Sequence, residues 1–159
     1  MTAVQSALRP ALARFVLALA IVLSVGGFAQ LASAPAAHAS FSAAKGQKVV
    51  RVAATRKGAA YRWGAIGPRR FDCSGLVKWS FARVGKSLPR TSRSQYAHTK
   101  HISKSQRRAG DLVFFMSGRH VYHVGIYAGG GKMWHAPKPG DHVKKATIWT
   151  SHVRYGRVR

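Results

Sequence analysis

The chain has a single cysteine, Cys73, and its neighbours give the thiol a place where it could do chemistry. Asp72 stands where an N-cap belongs, and an amphipathic helical pattern follows it. The N-terminal end of a helix carries a partial positive charge, which lowers the pKa of a thiol and favours the nucleophilic thiolate. We therefore expect Cys73 to begin a helix and to act as a nucleophile. The alternative is a structural cysteine, since free cysteines are often buried.

A thiol nucleophile needs a base, and the base needs a group that orients it. Of the eight histidines, two fall inside strand patterns: His123 in "YHVGIY" and His135 in "MWHAP". These two are the candidates for the base and its orienting partner. The alternative for each is a histidine whose polar atoms are satisfied in the core or at the surface. The remaining histidines lie in the N-terminal segment or in polar and basic surroundings: His38, His98, His101, His120, His142 and His152.

The two candidate histidines meet only if the hairpin between them has a suitable register. Strand alternation places His123 and Gly125 on one face. If the glycines at 129–131 form a three-residue loop, Gly125 faces His135, and the histidines lie roughly 7–8 Å apart on the diagonal. Gly125 would then leave room for both imidazoles. A two-residue loop would shift the register by one and put the histidines on opposite faces.

A zinc site built from Cys73, His123 and His135 is a second interpretation of the same residues. Zinc sites usually show a close ligand pair such as C-x-x-C or H-x-x-x-H, and the chain has none with these residues. We therefore expect neither a metal nor another cofactor.

The helices and strands that must position these side chains are predicted from the spacing of apolar residues, which changes from a helical to a strand period along the chain. Helical spacing predicts a helix over residues 46–61 and a second helix from Asp72 to a C-cap at Gly85. A Gly/Pro loop separates them at 64–70, and a short helix is expected near Ser92. The buried face of the second helix should carry Leu76, Val77, Ser80, Phe81 and Val84.

The second half of the chain has strand patterns. Five short segments are aromatic or β-branched and are separated by turn residues, so the chain reads as helices followed by an antiparallel sheet, an α+β domain. The predicted strands are 111–116, 122–128, 132–137, 144–150 and 152–158.

The first 39 residues have the layout of a secretory signal peptide. Arg9 and Arg14 precede an apolar run of about 14 residues, which is shorter than the roughly 20 that span a bilayer. We expect cleavage after Ala39, with Ala34 as the second choice and an uncleaved membrane anchor as the alternative. Residues 40–159 would then form a single domain, with a short leader at 40–45.

The composition is strongly basic. The formal net charge is +24, with three acidic residues and no glutamate; without the two arginines of the signal it would be +22. Such a field indicates a polyanionic partner. For a secreted protein this favours the anionic polymers of a cell envelope over nucleic acid. The alternative to a polyanionic partner is that the basic composition reflects only the solubility of the protein and a biased genome.

From about Gly46 to Arg159 the sequence resembles the NlpC-type cell-wall cysteine endopeptidases, a papain-like family that cuts the stem peptides of bacterial peptidoglycan. Each motif alone is weak, but six occur in order with the family's spacings. They are "YRWG" at 61–64, "FDCSGLV" at 71–77, "LPRTSRSQ" at 88–95, "AGDLVFF" at 109–115, "HVGIY" at 123–127 and "WHAP" at 134–137.

The resemblance implies a catalytic role for three residues. Cys73 is the expected nucleophile, His123 the base, and His135 the residue that orients the base. The implied fold is papain-like, with N-terminal helices packed on a central antiparallel sheet of about five strands. The implied reaction passes through an acyl-enzyme and cuts mostly between the γ-carboxyl of D-glutamate and diaminopimelate.

Other residues match positions that line the family's site. Tyr61 matches a tyrosine that helps to bind the oxyanion, as would the Cys73 amide at a helix start. In some relatives the residues at the Asp72 and Ser74 positions bind the amino end of the stem peptide. Asp111 matches a position that we expect to be structural.

Two departures from the family pattern bear on function. Ala65 replaces a glycine that often follows the first motif. We also expect no separate wall-binding module ahead of the catalytic domain, so that the basic surface would hold a monomeric protein on the cell wall. Three other functions stay open: a related N-acetylmuramoyl-L-alanine amidase, a non-enzymatic wall binder, and a secreted toxin aimed at rival cells.

Overall fold

The computed structural model describes residues 41–159, so the predicted signal peptide lies outside the described residues. None of the helices in this part of the chain is long and apolar enough to cross a membrane. The helices are α1 (Ala43–Ala54), α2 (Cys73–Ala82) and α3 (Ser92–His98). The strands are β1 (Ala60–Tyr61), β2 (Arg70–Phe71), β3 (Lys100–Ile102), β4 (Leu112–Ser117), β5 (His120–Gly129), β6 (Lys132–His135), β7 (Lys144–Thr147) and β8 (Val153–Arg157).

The first helix is shorter than predicted and begins earlier. Ser42 caps α1 by accepting a hydrogen bond from the Lys45 amide, so the helix already starts inside the segment expected to be a leader. The helix ends at Ala54 rather than at Tyr61. A turn follows it, and Tyr61 then lies in β1, which pairs in parallel with β2. The bounds of the helix predicted over 46–61 are therefore wrong at both ends.

The predicted α+β architecture is confirmed. Six strands form one sheet in the order β3-β8-β4-β5-β6-β7, and every neighbouring pair in it is antiparallel. The sixth strand is β3, an edge strand that pairs with β8. Its sequence is short and polar, so it lacks the alternation from which a strand is predicted.

The helices cover one face of the sheet. Four of the five residues predicted on the buried face of α2 are buried, whereas Val84 is half-buried and lies beyond the end of the helix. Phe81 packs on Phe41, with 5.3 Å between the ring centroids. α2 ends at Ala82, and Gly85 follows with a φ of 77°. The opposite face of the sheet carries a smaller apolar cluster of Val113, Phe115, Tyr127, Met133, Val153 and Tyr155.

A close backbone contact fixes α1 against the start of β4. An ideal Cβ atom on Gly46 would lie 2.3 Å from the carbonyl oxygen of Ala109, and one on Gly110 would lie 2.2 Å from the Gly46 Cα. No real Cβ contact is that short, so both positions need glycine for the close approach of two backbones.

The change Gly46→Ala is expected to destabilise the protein. In an open helix interior this change gains up to about 1 kcal/mol. Here the added methyl group would have to push two backbone segments apart, and we expect a loss of roughly 1–3 kcal/mol in the free energy of unfolding. Urea unfolding measures it, with Gln47→Ala at an exposed neighbouring position as the control. A Gly46→Ala protein as stable as the parent would contradict the contact.

Candidate active site

The N-terminus of α2 is built as the sequence predicts. Asp72 is its N-cap and Cys73 its first residue. One carboxylate oxygen of Asp72 accepts a hydrogen bond from the Gly75 amide at 2.7 Å, and the other accepts one from the Gly64 amide at 2.9 Å. Gly75 also lets the loop approach, since an ideal Cβ on it would lie 2.0 Å from the Ala65 carbonyl oxygen. The Gly/Pro loop is therefore fastened to the turn that carries the thiol.

Arg90 binds the Asp72 carboxylate, and sequence reasoning did not single it out. Its Nη1 donates to Asp72 Oδ1 at 3.0 Å and to Ser74 Oγ at 2.8 Å, while its Nη2 forms an ion pair with Asp72 Oδ2. The signal was its place in the motif "LPRTSRSQ". Asp72 is buried, and Arg90 neutralises it. The substrate-binding role of Asp72 and Ser74 stays a prediction.

The segment that presents Arg90 is itself tied to α2. The buried Gln95 donates from its amide nitrogen to the carbonyl oxygens of Ser74 at 3.0 Å and of Pro89 at 2.9 Å. Lys78 donates to the Leu88 carbonyl at 2.6 Å. These bonds hold the Arg90 guanidinium at the helix start.

Tyr61 lies close enough to Cys73, Asp72 and Arg90 for their charges to affect the pKa of its phenol. Burial raises the pKa of its phenol, as do Cys73 and Asp72, while Arg90 acts in the opposite direction. Its backbone amide donates to the Asp141 carbonyl at 2.8 Å, which fixes β1 at the edge of the site. The structure thus brings Tyr61 to the Cys73 end of α2, as the motif spacing predicts.

The hairpin between β5 and β6 is not the predicted three-residue loop. Gly129 pairs with Lys132, which leaves two residues in the turn, and a bulge at Ala128 adds one residue to β5. The bulge compensates for the shorter loop. Tyr127 therefore pairs with Met133, and beyond the bulge the register is the one that a three-residue loop would have given.

This register brings the two histidines into direct contact. His123 Nε2 and His135 Nδ1 are 2.9 Å apart, and the rings meet nearly edge to face at 78°. Only 6% of His123 and 2% of His135 are exposed. The space left by Gly125 is filled by Met133, whose sulfur lies 2.5 Å from where a Cβ would be, and not by the imidazoles as predicted.

Trp149 covers the histidine pair and was also missed from the sequence. Its ring stacks on Phe115 at 4.1 Å and lies 5.8 Å from His123 and 5.4 Å from His135. Trp149 was placed in a predicted strand over 144–150, but β7 ends at Thr147. The indole is 53% exposed, so it forms a wall between the histidines and solvent.

Cys73 lies against the part of β5 that carries His123. The backbone amide of Val124, the next residue after His123, favours the thiolate of Cys73, as does the Ser74 amide. Burial and the charge of Asp72 outweigh both, so the pKa of Cys73 lies above its ordinary value. The expectation that the helix start lowers this pKa is therefore wrong for the free protein, because burial penalises the charged form.

The two imidazoles are uncharged at neutral pH. Burial, aided by His135, lowers the pKa of His123 to about 3. Burial, aided by Lys144 and opposed by Asp141, lowers the pKa of His135 to about 4. At neutral pH the thiol of Cys73 and the imidazoles of His123 and His135 therefore carry no charge.

No group of three or more histidine, cysteine or acidic side chains within residues 41–159 is arranged to hold a metal ion. Within this part of the chain, the thiol of Cys73 lies at a helix start, and that helix packs on the strand that carries His123, which contacts His135.

The sequence matches the model of the NlpC/P60 family over residues 58–157. It is 49% identical over 109 residues to a protein of Corynebacterium glutamicum named "Probable endopeptidase", covering 69% of this chain and 51% of that protein. It is 42% identical over 120 residues to the "Bifunctional muramidase/DL-endopeptidase CwlT" of Bacillus subtilis, covering 71% of this chain and 36% of the relative. The chain thus spans about half, or less, of the length of these relatives.

Among solved structures, the fold is similar to the NlpC/p60 domain of the peptidoglycan hydrolase SagA. The TM-score is 0.65 at 35% sequence identity, and the match covers 72% of this chain and 98% of that domain. The similarity confirms the papain-like α+β fold expected from the motifs.

The raised pKa of Cys73 predicts how fast the thiol reacts with a small alkylating agent. The rate of reaction with iodoacetamide should rise only in the alkaline range, with a midpoint above the roughly 8.5 of a free thiol. Mass spectrometry of the protein after timed exposure from pH 4 to 10 measures it. A plateau of high reactivity between pH 4 and 8 would show a preformed thiolate–imidazolium pair and contradict this account.

The lowered histidine pKa values predict a loss of stability in acid. The folded values of about 3 and about 4 lie below the unfolded value of about 6.5. The unfolded state therefore binds more protons as the pH falls below 6.5, and the stability present above that pH is lost. We expect a loss of about 2 kcal/mol per histidine between pH 8 and 5, measured by urea unfolding.

Variants assign this loss to the buried pair. In His135→Asn about half of the acid-induced loss should disappear, since one of the two depressed groups is gone. His98→Asn, at an exposed position on α3, is the matched control for the removal of one histidine. The same loss in His135→Asn as in the parent would refute the assignment.

Proposed function

Since the chain belongs to the NlpC/P60 family of peptidoglycan endopeptidases, we propose that it is a secreted cysteine endopeptidase that cuts peptidoglycan stem peptides through an acyl-enzyme. The bond we propose joins the γ-carboxyl of D-glutamate to diaminopimelate. The observation that carries the proposal is the placement of Cys73 at the start of α2, against the strand whose His123 is hydrogen-bonded to His135.

The first half of the reaction forms a thioester. Cys73 Sγ attacks the scissile carbonyl carbon while its proton moves to His123 Nδ1. We propose that His123 Nε2–H donates to His135 Nδ1, 2.9 Å away, which would fix the tautomer that leaves His123 Nδ1 free. His123 then passes the proton to the leaving amine nitrogen as the C–N bond breaks. Tyr61 and the Cys73 amide would stabilise the oxyanion, because the first amides of a helix have no acceptor within it.

The second half of the reaction releases the acyl group. Water attacks the thioester carbonyl and gives one proton to His123, which returns it to Cys73 Sγ as the C–S bond breaks. The carboxylic acid product leaves and releases its own proton to solvent. The neutral resting thiol supports a step in which proton transfer to His123 accompanies the attack. Trp149, whose ring lies 5.8 Å from that of His123 and 5.4 Å from that of His135, would shield their hydrogen bond from water and so strengthen it.

Asp72 and Ser74 would contribute to substrate binding through Arg90. Both accept hydrogen bonds from its guanidinium, whose side chain is 36% exposed. Stem peptides carry free carboxylates, which a fixed guanidinium edge suits. A free amine, by contrast, would have to compete with Arg90 for Asp72.

The setting of the enzyme is part of the proposal. The layout of the first 39 residues supports export and cleavage after Ala39, and the net charge of +22 that remains without Arg9 and Arg14 supports retention on anionic wall polymers. We propose a monomer that acts at the cell wall.

Digestion of defined muropeptides, read by mass spectrometry, tests the function. The purified protein should release a disaccharide–L-Ala–D-Glu fragment and a peptide that begins with diaminopimelate. Cys73→Ala should abolish release, and His123→Ala should slow it by about 10²–10⁴-fold. His152→Ala, an exposed histidine, is the matched control.

Two results would contradict the proposal in different ways. Full release by Cys73→Ala would sink the cysteine mechanism. Release of an intact stem peptide with a free L-alanine amine would be consistent with the cysteine mechanism. It would show, however, that the enzyme is an amidase and not an endopeptidase.

A further inference from the structure

A second site lies on the face of the sheet that the helices leave uncovered. There a surface cavity of about 510 Å³ opens over the apolar cluster of β8 and its neighbours. Side chains from three segments line it: the loop after β3, the segment after β7, and β8 itself. The residues that matter here are Lys104, Arg107, Thr150, Ser151, Arg154 and Tyr155.

The cavity is positively charged and has no counter-charge in its lining. Lys104, Arg107 and Arg154 supply three cations, and no aspartate lines the walls. The chain has only three acidic residues, and each is paired elsewhere. The pairs are Asp72 with Arg90, Asp111 with Arg157, and Asp141 with Lys144.

Arg107 is held in place before any ligand binds. Its guanidinium lies over the rings of Tyr127 and Tyr155, 5.2 and 5.3 Å from their centroids. Its Nη1 donates to the Lys104 carbonyl at 2.7 Å, and its buried Nε has no hydrogen-bond partner among the described residues. A cation that is already ordered loses little entropy on binding an anion.

The hydroxyl groups of the lining, together with the burial of the nearby aromatic rings, favour a phosphate with hydroxylated neighbours as the ligand. Hydroxyl groups of Ser103, Thr150 and Ser151 lie in the lining beside the cations and can donate to anionic oxygens. The two tyrosine rings under Arg107 are only 6% exposed each, so they offer no platform for stacking a nucleobase. This chemistry favours a polyol phosphate over a nucleic acid.

We propose that this cavity binds the phosphate groups of an alditol-phosphate polymer of the cell wall. The segment between β7 and β8 links the cavity to the active site, because Ile148 and Thr150 line the cavity while Trp149 between them contacts both histidines. A polymer bound there would hold the catalytic face close to the wall. The inference rests on the retention at the cell wall that is part of the proposed function and assigns that retention to one cavity, whose binding needs no hydrolysis.

A pair of matched double variants tests the cavity. Lys104→Gln with Arg154→Gln removes two charges from the cavity, and Lys45→Gln with Lys48→Gln removes two exposed charges from α1. Calorimetric titration with poly(glycerol phosphate) at 0.15 M salt should show a Kd about tenfold higher for the cavity variant. The α1 variant should change the Kd less than twofold, since distant exposed charges are screened.

A second measurement locates the site without a variant. Titration of the ¹⁵N-labelled protein with glycerol 3-phosphate should shift the amide resonances of Gly131 and Ser151, and titration with glycerol should not. Equal losses in the two double variants, or no local shift, would overturn the proposal. Tighter binding of a single-stranded DNA oligomer than of poly(glycerol phosphate) would overturn the proposed occupant.

Hydrolysis of a soluble muropeptide separates this inference from the proposed function. The cavity variant should cut it at the parent rate, which also shows that the variant is folded. If no protein cuts the muropeptide but the binding loss stays confined to the cavity variant, the proposed function fails and the site stands. If the cavity variant alone loses hydrolysis, the site is part of the active centre and the proposal is wrong.

Discussion

The hydrogen bond between His123 and His135 is the constraint on which the site depends. It forms only because β5 and β6 pair in one register, and a bulge at Ala128 restores that register after a two-residue turn. A shift of one residue would move one imidazole to the other face of the sheet. This strand pairing therefore decides whether the two imidazoles meet, and Met133, packed over Gly125, helps to fix it.

The chain has few acidic residues, and their small number decides how its charges are paired. With three carboxylates against 27 basic residues, each aspartate serves a fixed structural purpose. Asp72 caps α2 and binds Arg90, Asp111 accepts hydrogen bonds from Arg157, and Asp141 pairs with Lys144 beside the histidines. Within residues 41–159 no other lysine or arginine forms an ion pair with an aspartate.

The sequence allows a good prediction wherever local rules decide. Asp72 as N-cap and Cys73 as the first helical residue follow from capping chemistry, and the strands from alternation. Arg90 and Trp149 could not be found this way, because their roles depend on contacts between distant segments. The predicted direction of the Cys73 pKa shift was wrong for the same reason. The position of Cys73 at a helix start can be predicted from the neighbouring residues, whereas its burial by β5 cannot. The predicted signal peptide and the roles of the site residues stay predictions.

The central claim is that the catalytic pair rests as a neutral thiol and a neutral imidazole, with His123 held by His135. Nitrogen-15 NMR of the histidine rings tests this most directly, since the shifts of Nδ1 and Nε2 report the charge and tautomer of each ring. At pH 7 the account predicts that both rings are neutral and that His123 carries its proton on Nε2. Imidazolium shifts for His123 at pH 7, or a proton on its Nδ1, would contradict it.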